Sequence, residues 1–172
     1  MRLSRREKGR TMHRGLAALA VVAAFAVVPA AVSAPPANLF KHGYDKCKAA
    51  SVGSVAKAVG AKIAKARFSG KDCTWSTFDG SVTILFDTHP TGYMEYLVPK
   101  PGRAANGDAT RKIAVPGASK ALLETHSFAA IHRHAKDLFA QYAAGVVQVS
   151  INSAPPLSDG RCVALMRLLT RT

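Results

Sequence analysis

Residues 71–87, KDCTWSTFDGSVTILFD, carry the strongest structural signal in the chain. Side chains of an extended strand alternate between two faces, so apolar residues spaced by two mark a half-buried strand. Cys73, Trp75 and Thr77 share one face of a first such segment, and Val82, Ile84 and Phe86 share one face of a second. Between them stands Asp79-Gly80, a pair that tolerates positive φ and so favours a tight hairpin turn. Residues 71–78 and 81–87 are therefore predicted to form an antiparallel hairpin.

Working outward, Lys62–Phe68 reads as a third strand leading into this hairpin. Before it, Val52, Val55, Ala56 and Val59 follow the i, i+3, i+4, i+7 spacing of one helical face. Ser51 is suited to cap that helix and Gly60 to stop it, which predicts a short helix over about 50–59. Beyond the hairpin, prolines 90, 99 and 101 and a polar run predict a long loop from 89 to 111, with an irregular turn at 92–98. Alternation returns in 112–115 and 120–125 around Pro116-Gly117, then in 137–142 and 146–151 across Ala143-Ala144-Gly145. A closing helix capped by Ser158 or Asp159 carries Cys162, Leu165, Met166 and Leu169 on one stripe. The sum is α+β: an antiparallel β-sheet built from hairpins, with a short N-terminal helix and a C-terminal helix packed on one face.

The first 34 residues have the three parts of an export signal. Arg2, Arg5, Arg6, Lys8, Arg10 and Arg14 face a single acid, Glu7. An apolar run, GLAALAVVAAFAVV (15–28), follows without a polar side chain. At 14 residues it falls short of the roughly 20 that a permanent membrane helix needs. Pro29 breaks the run, and the small residues 30–34 suit a signal peptidase, with cleavage expected after Ser33 or Ala34. Met12 offers an alternative start. No cysteine closes the apolar run, so no lipid anchor is expected. The organisation read here is a signal peptide over 1–34, an extended lead-in over 35–46 and one α+β domain over 47–172.

The whole chain holds 24 Lys/Arg against 10 Asp/Glu. Without residues 1–34, 18 basic and nine acidic residues remain, a net charge of +9. Outside a cell, such an excess attracts anionic envelope polymers or an acidic protein. Nucleic acid is not expected as a partner there, and no stable membrane anchor remains after cleavage. The oligomeric state is not legible.

Tyr44-Asp45-Lys46-Cys47 just before the first helix, Ala58-Val59-Gly60 at its end, Cys73-Thr74-Trp75 on a strand and Val115-Pro116-Gly117 before another form a pattern. With Cys162 opening the last helix, it resembles a family of actinobacterial secreted proteins and lipoproteins of unknown function. The resemblance spans nearly the whole chain after the leader and implies an α+β envelope domain without assigned chemistry. It also implies a Cys47–Cys73 disulfide, which would tie the first helix to the strand of Trp75. A bond involving Cys162, or no bond, is the alternative. Cys162 lies on the apolar stripe of its helix, where an inert buried thiol is expected rather than a nucleophile.

No catalytic constellation is found. The cysteine spacings include no CxxC, no Gly-x-Ser-x-Gly occurs, and carboxylates are scattered. His132 and His134 would share a side of an extended segment, with His126 near in sequence, but no carboxylate or cysteine stands at matching spacing. Neither a metal site nor any cofactor is expected. Trp75 is expected in the core.

The basic run Lys57, Lys62, Lys65, Arg67 and Lys71 is the candidate surface for an anionic ligand, provided helix and strand lie side by side. The functional expectation is an exported, non-enzymatic envelope or extracellular domain that binds through this basic surface. The alternative is a secreted protein-interaction partner such as an inhibitor or accessory subunit. A small hydrolase is disfavoured.

Overall fold

The computed structural model describes residues 34–97, 109–128 and 132–171. The leader, except Ala34, lies outside the described residues, as does the 98–108 part of the long loop. Among those described, seven strands form one fully antiparallel sheet. They are β1 (Ile63–Phe68), β2 (Cys73–Thr77), β3 (Val82–His89), β4 (Ala109–Lys112), β5 (Lys120–Phe128), β6 (Arg133–Tyr142) and β7 (Gly145–Ser153). Their spatial order is β1-β2-β3-β7-β6-β5-β4. Three helices join them: α1 (Val52–Val59), α2 (Tyr93–Leu97) and α3 (Asp159–Leu169). The predicted α+β architecture is the observed one.

The 71–87 hairpin forms as β2 and β3, with Trp75 opposite Ile84 and Cys73 opposite Phe86. Its inner face continues across the sheet. Ile84 stands opposite Ile151 and Phe86 opposite Val149; Val149 then meets Leu138, and Leu138 meets Leu123. These apolar rows explain why β3 pairs with β7 rather than with β4, its successor in the chain. A slip of one residue would turn every one of these side chains to the other face. Burying each large apolar side chain is worth about 1.5–3 kcal/mol, so the register is strongly held.

The helices α1 and α3 cover that face, contributing Val55, Val59, Cys162, Leu165, Met166 and Leu169 to the same core. Local chemistry sets their ends. The Ser51 hydroxyl accepts from the Ser54 N–H at 3.1 Å, capping α1. At its far end Gly60 adopts a left-handed conformation (φ 71°), which only glycine takes at no steric cost. Its N–H donates to Ala56 O at 2.8 Å. Arg161 of α3 donates to the Val59 carbonyl, so one helix satisfies an orphan acceptor of the other. Ser158 caps α3, and Asp159 in its first turn receives Lys136 Nζ at 2.7 Å and the Arg111 guanidinium. That cluster clamps α3 to β6 and β4.

The second face of the sheet is mostly polar. A small apolar cluster there, Met94, Leu122, Phe139 and Val146, is roofed by α2. The outer strands carry charge along the sheet borders, Lys65 and Arg67 on β1 and Arg111 and Lys112 on β4. Charged border strands discourage edge-to-edge pairing with other chains. Among the described residues no helix is long and apolar enough to cross a membrane.

Several boundaries differ from expectation. The 35–46 segment is not extended throughout. Ala37–Phe40 makes a 3-10 turn that puts Leu39 in the core, and a second 3-10 turn begins at Lys46. The strand expected at 112–115 lies at 109–112 instead, on a border where polar residues suffice. The strand β6 starts four residues early. Arg133, His134, Ala135 and Lys136 present no apolar face, yet β5 pairs with all four and β7 with the last three.

Candidate functional site

Cys47 and Cys73 are bonded, with their Cα atoms 5.1 Å apart. The bond joins the 3-10 turn Lys46–Ala49 to β2, and the Asp45 carboxylate steadies that turn by accepting from the Cys47 N–H at 3.0 Å. Cys162 is free and buried. Burial pushes its thiol above the usual range, against the opposing charge of Lys136. A thiol held protonated in an apolar core is a poor nucleophile.

The five basic residues singled out in the sequence do not share one surface. Alternation in β1 sends Lys65 and Arg67 to the polar face, opposite Ser76 and Thr74. Both are exposed and line an open depression with the hydroxyl residues Thr74, Ser76 and Thr83. Phe78, at the hairpin tip, closes one side of it and is 98% exposed. Lys62 lies around the same tip, lining a neighbouring hollow with Phe78 and Asp79. Lys57 is on α1, in the layer covering the other face. Lys71 points to Asp87, with Nζ 3.7 Å from Oδ2. Lys65 and Arg67 thus line one depression and Lys62 the neighbouring hollow, while Lys57 and Lys71 line neither.

Asp87 begins a polar network that runs along the second face. It is buried beside Lys46, and its Oδ2 lies 3.9 Å from His89 Nε2. The same His89 nitrogen is 2.7 Å from Gln148 Oε1, and the Gln148 amide donates to Ser150 Oγ at 2.9 Å. The His89 ring stacks on Tyr93 of α2, with centroids 3.7 Å apart. This network fastens α2 to the sheet.

Ser150 stands opposite Asp137, and Asp137 stands opposite Glu124. Two residues along β5 from Glu124, and so on the same face, is His126. Its Nε2 lies 3.4 Å from Asp137 Oδ2 and 3.8 Å from Glu124 Oε2. These three groups offer ligand atoms all within 4.8 Å of one another. The histidines grouped by sequence proximity separate instead. His134 projects from the opposite face of β6, since it pairs with Ser153, and His132 sits exposed in the preceding turn with φ 48°. Asp137 reaches His126 across a strand pair, a proximity that spacing along the chain does not show. Glu124-x-His126 within β5 was the legible half of the cluster.

Trp75 is fully buried, against Phe86 with ring centroids 6.3 Å apart, as expected of a core residue. No family model, no curated protein and no solved structure matches the chain.

Proposed function

We propose that this chain acts outside the cytoplasm as a non-enzymatic domain of the cell envelope or extracellular space, binding an anionic polymer. The observation that carries the proposal is the depression on β1, β2 and β3. There Lys65 and Arg67 flank the hydroxyls of Thr74, Ser76 and Thr83 beside an almost fully exposed Phe78. Guanidinium and ammonium groups pair with phosphate or carboxylate, the hydroxyls exchange hydrogen bonds, and an aromatic face packs on sugar rings. A polyanionic glycan presents all three chemistries. Four other cations are held by acids of the domain, Lys46 and Lys71 by Asp87 and Arg111 and Lys136 by Asp159, whereas among the described residues no carboxylate lines the depression with Lys65 and Arg67. The leader read in residues 1–34 and the Cys47–Cys73 bond support an oxidising, extracytoplasmic setting.

Sedimentation with washed envelope fragments tests this. Retention at low salt that is released towards about 0.5 M, where screening is strong, is the expected result. Absent retention, or retention that ignores salt, contradicts it. The second reading, an extracellular protein partner such as an inhibitor or accessory subunit, is favoured by Phe78 together with Tyr96, which is 88% exposed. It predicts one saturable cross-linked partner and little response to moderate salt.

A further inference from the structure

On the same polar face, beyond the depression, β5 and β6 carry Glu124 and Asp137 directly opposite each other. Like charges facing each other across an antiparallel pair destabilise it. Partial burial adds to that cost, because the Glu124 and Asp137 side chains are only 16% and 20% exposed and water screens them weakly. The imidazole of His126 stands beside both carboxylates, and a cation held among the three groups would offset their repulsion.

We infer that Glu124, His126 and Asp137 bind a divalent transition-metal ion of the Zn2+ class. Ligand atoms around tetrahedral zinc, at bonds of about 2.0–2.1 Å, lie about 3.3 Å from one another. The 3.4 Å and 3.8 Å separations from His126 Nε2 are close to that spacing, and all three groups offer atoms within 4.8 Å of one another. Two carboxylates neutralise a doubly charged ion. One imidazole with two carboxylates, and no thiolate, favours zinc-like ions over calcium, which takes six to eight oxygens. Three protein ligands leave positions for water. The next row of the same face runs His126, Ala135, Asn152. There Asn152 Oδ1, across Ala135 from His126, is a buried acceptor without a hydrogen-bond partner among the described residues. An acceptor in that row suits the protons of a metal-bound water.

The test is calorimetric titration of Zn2+ into the untagged, chelator-treated chain carrying its Cys47–Cys73 bond. One ion per chain is expected. His126→Asn and Asp137→Asn should each weaken binding by more than the roughly 10–100-fold that loss of an outer-shell partner costs. His134→Asn, altered on the opposite face, should bind as the wild type does. A measurement on the wild type alone guards against variants that fail to fold: Zn2+ should shift the NMR resonances of the His126 ring and the Ala135 amide. No binding, or binding unchanged by His126→Asn and Asp137→Asn, overturns the inference, as does an ion whose NMR shifts centre on residues away from β5 and β6.

Discussion

Lys46 and Asp87 form an ion pair inside the protein, with Nζ 3.5 Å from Oδ1 and side chains only 6% and 8% exposed. Both partners are otherwise satisfied. The Lys46 ammonium also donates to the Lys71 carbonyl, and Asp87 Oδ1 accepts from the Thr88 N–H at 2.7 Å. The pair lies one residue beyond Phe86, the partner of Cys73 at the start of β2, where the 3-10 turn bearing Lys46 packs against β1 and β2.

Removing Lys46 takes away the buried partner of Asp87 and leaves the exposed Lys71, 3.7 Å away, as its nearest ammonium. Lys46→Met should cost about 3–5 kcal/mol of stability in urea unfolding. Adding Asp87→Asn should recover part of that loss, because the charge is gone while the amide oxygen still accepts from Thr88. Equal stability of the single and double variants would show that the pair is not coupled.

The Cys47–Cys73 bond closes a loop of sequence separation 26. Chain entropy predicts that its removal costs about 3–4 kcal/mol. Unfolding of a Cys47→Ala, Cys73→Ala variant at fixed pH measures this. A change below about 1 kcal/mol would mean that the 3-10 turn is held by the Lys46–Asp87 pair and the Asp45 cap without the bond.

Burial raises both the Cys162 thiol and the Tyr142 hydroxyl above their ordinary values of 9.0 and 10.0. A raised folded-state value gives stability that is complete below the unfolded value and lost as pH rises towards the folded one. Stability should therefore decline above about pH 9. Cys162→Ala should remove the thiol's share of that decline, and in the wild type iodoacetamide should label Cys162 only after denaturation. Rapid labelling of the folded chain would contradict this.

The Arg161 guanidinium occupies the space beside Gly60 where a side chain would begin, so a Cβ there would meet its Nη1. Gly60→Ala should destabilise doubly, through a strained φ of +71° and through displacement of Arg161 from the Val59 carbonyl. Arg161→Ala alone should cost about 1.5–3 kcal/mol, the worth of a hydrogen bond to a charged group. If Gly60→Ala costs no more than Arg161→Ala, the backbone strain is negligible. Both are read from thermal melts.

The fold was legible wherever one side of an element is apolar. The hairpin of Trp75 and Ile84, the helix ending at Gly60 and the stripe of Cys162, Leu165, Met166 and Leu169 all announce a buried face. The strand order was not legible, because the pairing of β3 with β7 depends on matching Phe86 to Val149 across more than sixty residues of chain. The first four residues of β6 were hidden because Arg133 and Lys136 mask the alternation. The basic surface was legible in part. Lys65 and Arg67 alternate within one strand, and their common face follows from that spacing, whereas Lys57 and Lys71 were grouped with them by closeness in sequence. The cluster of Glu124, His126 and Asp137 was missed because proximity across a ladder depends on register, which local patterning does not supply.

The most direct measurement compares envelope retention of three proteins at low salt. They are the wild type, Lys65→Glu with Arg67→Glu, and a charge-matched control, Lys57→Glu with Arg167→Glu, whose exposed residues lie on α1 and α3. The account predicts that the Lys65, Arg67 variant loses retention at least about tenfold, by losing interactions worth at least roughly 1.4 kcal/mol, while the control stays near the wild type. Equal loss in both variants would show that net charge alone governs binding. No loss in either would contradict the assignment of the binding surface to β1, β2 and β3.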